Sequence, residues 1–110
     1  MHEKLQKLNK KKIAILGLGI ENLAMLNYLL REEVDASFDI FDLREKNDLL
    51  ERFSTLRDRN NIKIWKETED NDLCVYDIIF RSPGFPLFKD ILQLARESRV
   101  EISSAMKLFF

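Results

Sequence analysis

Two short turns contain the residues of this chain that are best suited to bind a phosphate. Gly17–Gly19 follows an apolar run at residues 13–16, and Ser82–Gly84 follows a second, mainly apolar run at residues 76–81. In an open α/β sheet, ligands bind in the crevice outside the carboxyl ends of the strands. Backbone N–H groups at such turns carry partial positive charge and bind anions. The sequence therefore predicts a nucleotide- or phosphate-binding module.

The first turn matches part of the dinucleotide-binding fingerprint. Gly17 and Gly19 occupy its first two positions, where one glycine makes the tight turn and the other lets the backbone approach a phosphate. The third position holds Asn22, which counts against a nicotinamide or flavin nucleotide. Glu21 would repel a phosphate unless its carboxylate points away or bonds a ligand hydroxyl. A plain βα turn without a ligand is the alternative interpretation.

A polar segment after the second predicted strand adds candidate ligand contacts. Asp42 lies 23 residues after Gly19, close to the position where an acid binds a ribose hydroxyl in dinucleotide folds. Arg44 lies near enough to hold a phosphate or a ring. Capping of the following helix is an equally good interpretation of Asp42. In the second turn, Ser82 and the N–H groups after it could bind an anion, and Arg81 could supply charge.

Composition excludes several other classes of site. The net charge of -1 provides no general attraction for nucleic acid. His2 is the only histidine, so neither a histidine metal site nor a Ser-His triad is expected. The single Cys74 fits a reducing compartment, and the apolar run after Lys12 is too short to span a membrane. We therefore expect a cytoplasmic protein that has no metal ligand and contacts neither nucleic acid nor a membrane.

Short apolar runs alternate with longer amphipathic runs, which is typical of βαβ units that position such turns. Right-handed crossovers then predict an α/β fold with a five-stranded parallel sheet of order 3-2-1-4-5. In this order the first and fourth strands are neighbours, so the two turns should meet. The predicted strands cover residues 12–16, 37–42, 62–65, 76–80 and 100–103. The predicted helices cover residues 20–31, 45–59 and 88–99, and a last helix begins at Ala105.

Four segments of the chain appear in the order found in the Mur ligases. They are residues 13–19, Asp42-Leu43-Arg44, Ser82-Pro83-Gly84 and residues 100–109. The chain after Lys12 therefore resembles the N-terminal domain of these ligases. The resemblance implies a Rossmann-like three-layer sandwich, a single domain over residues 1–110, that binds the UDP part of a UDP-muramoyl substrate. The apolar C-terminal end agrees with it, since such an end is expected of a piece cut from a longer protein.

The resemblance also implies which residues of this chain hold the substrate. The first glycine loop would contact the diphosphate through Gly19, Ile20 and Glu21, with Gly17 included in the site. The uridine would be held by Asp42, Leu43 and Arg44, and the site would be closed by Ser82, Pro83 and Gly84. Three positions depart from the family pattern, because Glu21 replaces a small hydroxyl residue, Asn22 replaces a glycine and Ala105 replaces an acid.

The chemistry implied by the resemblance requires parts that these residues do not supply. The family uses ATP and Mg²⁺ in a central domain, and the implied reaction adds D-glutamate to UDP-N-acetylmuramoyl-L-alanine in bacterial peptidoglycan biosynthesis. No Gly-x-x-x-x-Gly-Lys-Ser/Thr loop occurs in the 110 residues. We therefore expect no catalytic residue and no cofactor in this domain, whose partners are the substrate and the other domains of the ligase. Two alternatives stay open: an NAD(P)-binding module of a dehydrogenase or regulator, and a flavodoxin-like phosphoacceptor or interaction domain.

Overall fold

The computed structural model describes residues 6–65, 73–82 and 97–105. Within these ranges the chain forms an α/β fold around a parallel sheet of five strands. The strand order is β3-β2-β1-β4-β5, which confirms the predicted order. The strands are β1 (Lys12–Leu16), β2 (Ser37–Phe41), β3 (Ile62–Trp65), β4 (Ile78–Arg81) and β5 (Glu101–Ser103), and the helices are α1 (Ile20–Arg31) and α2 (Lys46–Arg52).

β1 is the central strand, and its sequence reflects burial on both faces of the sheet. All of residues 13–16 are fully buried, as expected of a parallel strand that is covered on both sides. Alternate residues of a strand point to opposite faces, so β1 contributes to two hydrophobic cores. Helices α1 and α2 pack over the face that contains Ile13 and Ile15, whereas Leu73 and Tyr76 pack over the other face.

Aromatic contacts on the second face anchor the end of β2. Phe41 stacks on Trp65 of β3 with ring centroids 6.4 Å apart, and it meets the Tyr76 ring edge-on at 6.0 Å. The Tyr76 hydroxyl donates a hydrogen bond to the Asp39 carboxylate. Burial, that hydrogen bond and the charge of Asp39 all raise the pKa of the Tyr76 hydroxyl, so the donor stays protonated at neutral pH. The strand that leads into Asp42 is thereby fixed at its carboxyl end.

Helix α1 begins and ends at the predicted residues. Beyond its end, Glu33 adopts the left-handed backbone conformation with a φ of 57°. The N–H groups of Glu33 and Val34 then bond to carbonyls of the last turn at 3.2 and 3.1 Å. This pair of bonds is the Schellman arrangement that ends many helices. These bonds fix the C-terminal end of α1, whereas its N-terminus begins directly after Gly19, at the carboxyl edge of the sheet.

The prediction of one helix over residues 45–59 is wrong in its length. Helix α2 ends seven residues earlier, Phe53 has an extended backbone, and Ser54–Leu56 forms a single 3-10 turn. The Arg57 guanidinium donates to two carbonyls near the end of α2 at 2.6 and 3.1 Å. These bonds satisfy carbonyl groups that have no partner within the helix. The serine and threonine of the 3-10 turn are also weak helix formers, because their hydroxyls compete for backbone bonds.

The segment before β1 packs onto the domain, which the apolar pattern did not indicate. Leu8 is only 4% exposed and joins the core beneath α1. The Asn9 side chain accepts the Asp35 N–H at 3.0 Å, and the Lys10 N–H donates to the Asp35 carbonyl. Leu5 and Leu8 are the only leucines in this short polar segment, which is too little apolar sequence to define a periodicity that would reveal this contact.

Some predicted elements differ slightly or fall outside the described residues. β2 and β5 differ from their predicted bounds by one residue at one end, and β4 differs by two residues at its start and one at its end, which is normal for element boundaries. Most of the helix predicted at residues 88–99, and the last helix after Ala105, lie outside the described ranges. Among the helices in the described ranges, none is long and apolar enough to cross a membrane.

Candidate functional site

Three strand ends meet in register at the carboxyl edge of the sheet. Leu16 pairs with Phe41 on one side and with Arg81 on the other. Backbone bonds extend this pairing by one residue. The Gly17 N–H donates to the Phe41 carbonyl at 2.8 Å, and the Ser82 N–H donates to the Leu16 carbonyl at 2.9 Å. The first glycine turn and the start of the serine turn therefore lie side by side, as the strand order predicted.

Gly19 of the first turn and Ser82, the first residue of the second, approach each other closely. A β-carbon on Gly19 would lie only 3.1 Å from the Ser82 Oγ, and Ser82 is half-buried. This approach brings Gly19 and Ser82 into one crevice. Pro83 and Gly84, which complete the predicted second turn, lie outside the described residues.

The first turn has a backbone conformation that favours glycine at its first position. Gly17 has a φ of 85°, in the left-handed region that residues with a β-carbon rarely adopt. The side-chain amide of Asn22 donates to the Gly17 carbonyl at 2.8 Å, and Asn22 is 1% exposed. The asparagine at the third fingerprint position therefore supports the turn from within the fold.

We expect Gly17→Ala to lower the free energy of unfolding by about 1–3 kcal/mol, because alanine is strained in this conformation. Chemical denaturation of the variant and the unmodified chain measures the difference. Gly19→Ala is the matched control for backbone strain, since Gly19 has the extended angles φ -78° and ψ -178°. Equal losses of stability in the two variants would contradict this account of the turn.

The Asp42 carboxylate links the first turn to the segment after β2. Its Oδ2 accepts the Leu18 N–H at 2.9 Å and Arg44 Nη2 at 2.8 Å. Its Oδ1 accepts the Arg44 backbone N–H at 3.0 Å and Arg44 Nε at 2.8 Å. Asp42 is 6% exposed and forms an ion pair with the same guanidinium. The interpretation of Asp42 as a helix cap is wrong, because the N-cap residue of α2 is Glu45.

The partners of Asp42 make its charge contribute to stability. Burial raises the pKa of the Asp42 carboxyl, but hydrogen bonds from Arg44 and Leu18 and the charge of Arg44 outweigh burial and lower the pKa to about 2. The ordinary value is 3.8, so the folded state favours the ionised form. The resulting stability is fully present above that ordinary value. It is lost as the pH falls through 3.8 towards the folded value.

We therefore expect acid to destabilise the chain partly through Asp42. Between pH 4 and pH 2, the unmodified chain should lose about 2 kcal/mol more unfolding free energy than its Asp42→Asn variant. Denaturant titrations at a series of pH values measure both curves. Parallel curves over this range would show that protonation of Asp42 costs the fold nothing.

Arg44 is shared between Asp42 and the first turn. Its Nη2 also donates to the Leu18 carbonyl at 2.8 Å, and its Cζ lies 5.7 Å from the centroid of the Phe53 ring. The hydrogen bond to Asp42 raises the pKa of Arg44, so the guanidinium stays charged. The Arg44 side chain is 38% exposed. The crevice therefore contains a fixed cation that is still open to solvent on one part of its surface.

The first turn of α1 supplies further hydrogen-bond donors. The N-cap residue of α1 is Gly19, so no side chain caps this helix. The first N–H groups of any helix lack partners within the helix. These groups, at Gly19, Ile20 and Glu21, lie at the positive end of the helix dipole and suit an anion. Two exposed apolar side chains belong to the same region. Ile20, the first residue of α1, is 89% exposed, and Leu43, which follows β2, is 51% exposed. Anion-binding groups next to exposed apolar surface suit a nucleotide.

Outside the crevice, a cavity of about 450 Å³ opens between α2 and the edge strand β3. None of the predicted site residues that the structure describes lines it. Ile62 and Ile64 of β3 line this cavity and are only partly buried. In the described part of the chain, no group of three His, Cys, Asp or Glu residues could hold a metal ion.

Sequence reasoning identified the crevice but missed part of its support. The structure brings together five of the predicted residues, namely Gly17, Gly19, Asp42, Arg44 and Ser82. The bonds from Leu18 and Asn22 were not foreseen, nor was the contact of Phe53 with Arg44. One sequence feature could have indicated the Asn22 bond, because Asn22 is a polar residue at a position of α1 that faces the sheet.

Comparison with known proteins identifies the family. The model of the family described as Mur ligase MurD-like, N-terminal domain, matches residues 11–104. The chain is 31% identical over 106 residues to the UDP-N-acetylmuramoylalanine--D-glutamate ligase of Acetivibrio thermocellus, with 96% of this chain and 22% of that protein covered. Proteins of the same name from Clostridium kluyveri and Idiomarina loihiensis are 30% identical, with 90% and 92% of this chain and 21% and 23% of theirs covered.

The chain thus spans about a fifth of the length of these relatives. Its strand order agrees with the order predicted from right-handed crossovers, and the approach of Gly19 to Ser82 agrees with the predicted neighbourhood of the first and fourth strands. The family match extends over most of the sequence, and the chain therefore belongs to the MurD-like N-terminal domains of the Mur ligases.

Proposed function

We propose that this chain binds the UDP moiety of UDP-N-acetylmuramoyl-L-alanine as the N-terminal domain of a ligase that adds D-glutamate. The names of its relatives state this substrate and this amino acid for those proteins. One observation on this chain itself supports the proposal. The uncapped start of α1, the Arg44 guanidinium and Ser82 all border the same crevice, which offers donors and positive charge to a diphosphate.

In this proposal the diphosphate lies at the first turn of α1. The N–H groups of Gly19, Ile20 and Glu21 donate to its oxygens, and the helix dipole and Arg44 favour its charge. Glu21 takes part through its backbone. Its side chain is exposed, so the carboxylate can remain in water, away from the phosphates. Gly17 contributes by shaping the turn rather than by a contact, since its N–H and carbonyl already have protein partners.

The uridine lies over the segment that follows β2. Leu43 offers exposed apolar surface, and the exposed part of the Arg44 guanidinium offers a planar surface and charge. Ser82 forms the opposite wall of the crevice. The roles of Pro83 and Gly84 in closing that wall rest on the resemblance to the family.

The ligation itself belongs to the longer protein in this proposal. ATP and Mg²⁺ bind in a central domain, and the 110 residues contain no phosphate loop of the Gly-x-x-x-x-Gly-Lys-Ser/Thr type. This domain alone therefore holds substrate without reacting it, and its partners are the substrate and the other domains. We place the parent ligase in the bacterial cytoplasm, in peptidoglycan biosynthesis.

The described geometry counts against the NAD(P) alternative. Dinucleotide folds use the acid after the second strand to accept hydrogen bonds from ribose hydroxyls. Here the Asp42 carboxylate already accepts four hydrogen bonds from protein groups. Asp42 is also paired with Arg44, which argues against its use as a phosphoacceptor in a flavodoxin-like domain.

Isothermal titration of the 110-residue chain with UDP-N-acetylmuramoyl-L-alanine, UDP and NAD tests the proposal. We expect saturable binding of both uridine compounds and no heat of binding with NAD. Binding of NAD without binding of UDP would replace the ligase interpretation by the dinucleotide one.

A further inference from the structure

The polar backbone groups of Gly17 and Leu18, the first two residues of the first turn, are already engaged within the protein. The Gly17 N–H bonds to the Phe41 carbonyl, and the Gly17 carbonyl accepts from Asn22. The Leu18 N–H bonds to Asp42, and the Leu18 carbonyl accepts from Arg44. Neither residue has an N–H left for a ligand, so the turn acquires its shape from protein bonds alone.

The Asp42 carboxylate is engaged just as fully. It accepts four hydrogen bonds of 2.8 to 3.0 Å, and a carboxylate has about four acceptor positions. A ligand hydroxyl could bind it only by displacing Leu18 or Arg44. With 6% exposure, Asp42 also offers almost no surface to a ligand.

We propose that Asp42 is a positioning residue, which pre-organises the glycine turn and the Arg44 guanidinium for the ligand and does not contact the ligand. The inference rests on the proposed UDP-binding function and states how that site is built. Groups that are ordered before binding lose less entropy when the ligand arrives. Without Asp42, the ligand would have to order both Leu18 and Arg44, and its affinity would fall.

The effect of removing the Asp42 charge on UDP affinity distinguishes a positioning role from a purely electrostatic one. Asp42 is negative and its partner Arg44 is positive. Removing the negative charge leaves an unpaired cation near the expected diphosphate, which by itself would strengthen the binding of an anion. Positioning predicts the opposite sign, a loss of affinity when the carboxylate is neutralised.

Two measurements on the 110-residue chain and its Asp42→Asn variant test the proposal. The first is the hydrogen-exchange rate of the Leu18 amide without ligand, and the second is the dissociation constant for UDP. Asparagine keeps the size of the side chain but loses the charge and one acceptor group. We expect Leu18 to exchange at least about tenfold faster and UDP to bind about tenfold more weakly, the usual effect of losing a hydrogen bond to a charged group.

Two further variants make the comparison specific. Asp77 accepts the Lys12 N–H at 2.7 Å at the opposite end of β1, so Asp77→Asn removes the same charge and a similar bond away from the crevice. Both measurements should be unchanged in that control. Asp42→Glu retains the charge but displaces the carboxylate by one methylene, and it should also weaken UDP binding. It serves as the second test if Asp42→Asn does not fold.

Unchanged exchange of Leu18 in Asp42→Asn would overturn the proposal, and so would tighter binding of UDP by that variant. Affinity equal to that of the unmodified chain in Asp42→Glu would point to charge alone and would overturn it as well. If the unmodified chain binds no UDP while Leu18 exchange rises as expected, the proposed function fails and the positioning of the turn stands.

Discussion

Gly19→Val should abolish UDP binding and leave the chain folded. The backbone at Gly19 is extended, with φ -78° and ψ -178°, so a side chain there causes no backbone strain. The added β-carbon would lie 3.1 Å from the Ser82 Oγ, and the two methyl groups of valine would fill the space between the turns. We expect the affinity to fall by at least about 100-fold, as measured by titration calorimetry.

Gly19→Ala is the graded control for this prediction. Alanine adds only the β-carbon, and Ser82 has to move by a few tenths of an ångström to accept it. Its affinity should therefore lie between those of the unmodified chain and the valine variant. Thermal unfolding of both variants shows whether the fold is intact. A folded valine variant with undiminished affinity would place the ligand away from these turns.

Arg44→Ala should weaken UDP binding by about 1–3 kcal/mol, or roughly 5- to 150-fold. The variant loses the cation of the crevice and the bond from Arg44 Nη2 to the Leu18 carbonyl. It also leaves the buried Asp42 carboxylate without its charged partner, so the free energy of unfolding should fall as well. Calorimetry measures the first effect and denaturation the second.

Arg57→Ala is the matched control for Arg44→Ala. The Arg57 guanidinium also donates to backbone carbonyls, at 2.6 and 3.1 Å, but it does so at the end of α2. Its removal should cost stability without changing UDP affinity. If both arginine variants bound UDP like the unmodified chain, Arg44 would have only a structural role.

The strands and their order were predictable because their burial leaves a simple pattern. A parallel strand covered on both faces reads as a continuous apolar run, as residues 13–16 do. The handedness of the crossovers then restricts the topology. Once the order was fixed, the meeting of Gly19 and Ser82 followed from the register of β1 with β4.

The hydrogen bonds of Asp42 to the first turn were not predictable, because they join segments distant in the sequence. Its bond to Leu18 spans 24 residues of sequence, and no local pattern distinguishes such a bond from a helix cap or a ligand contact. The end of α2 was missed for a similar reason. Its apolar spacing continues to Leu56, whereas the bonds from Arg57 to backbone carbonyls near the end of α2 are visible only in the structure.

Backbone amide shifts of the isotope-labelled chain during a UDP titration test the central claim most directly. The account predicts saturable shifts that concentrate at Gly19–Asn22, Asp42–Arg44 and Ser82–Gly84, with no such shifts on addition of NAD. Saturable shifts centred instead on the cavity between α2 and β3 would contradict it, because UDP would then bind without using the carboxyl ends of the strands.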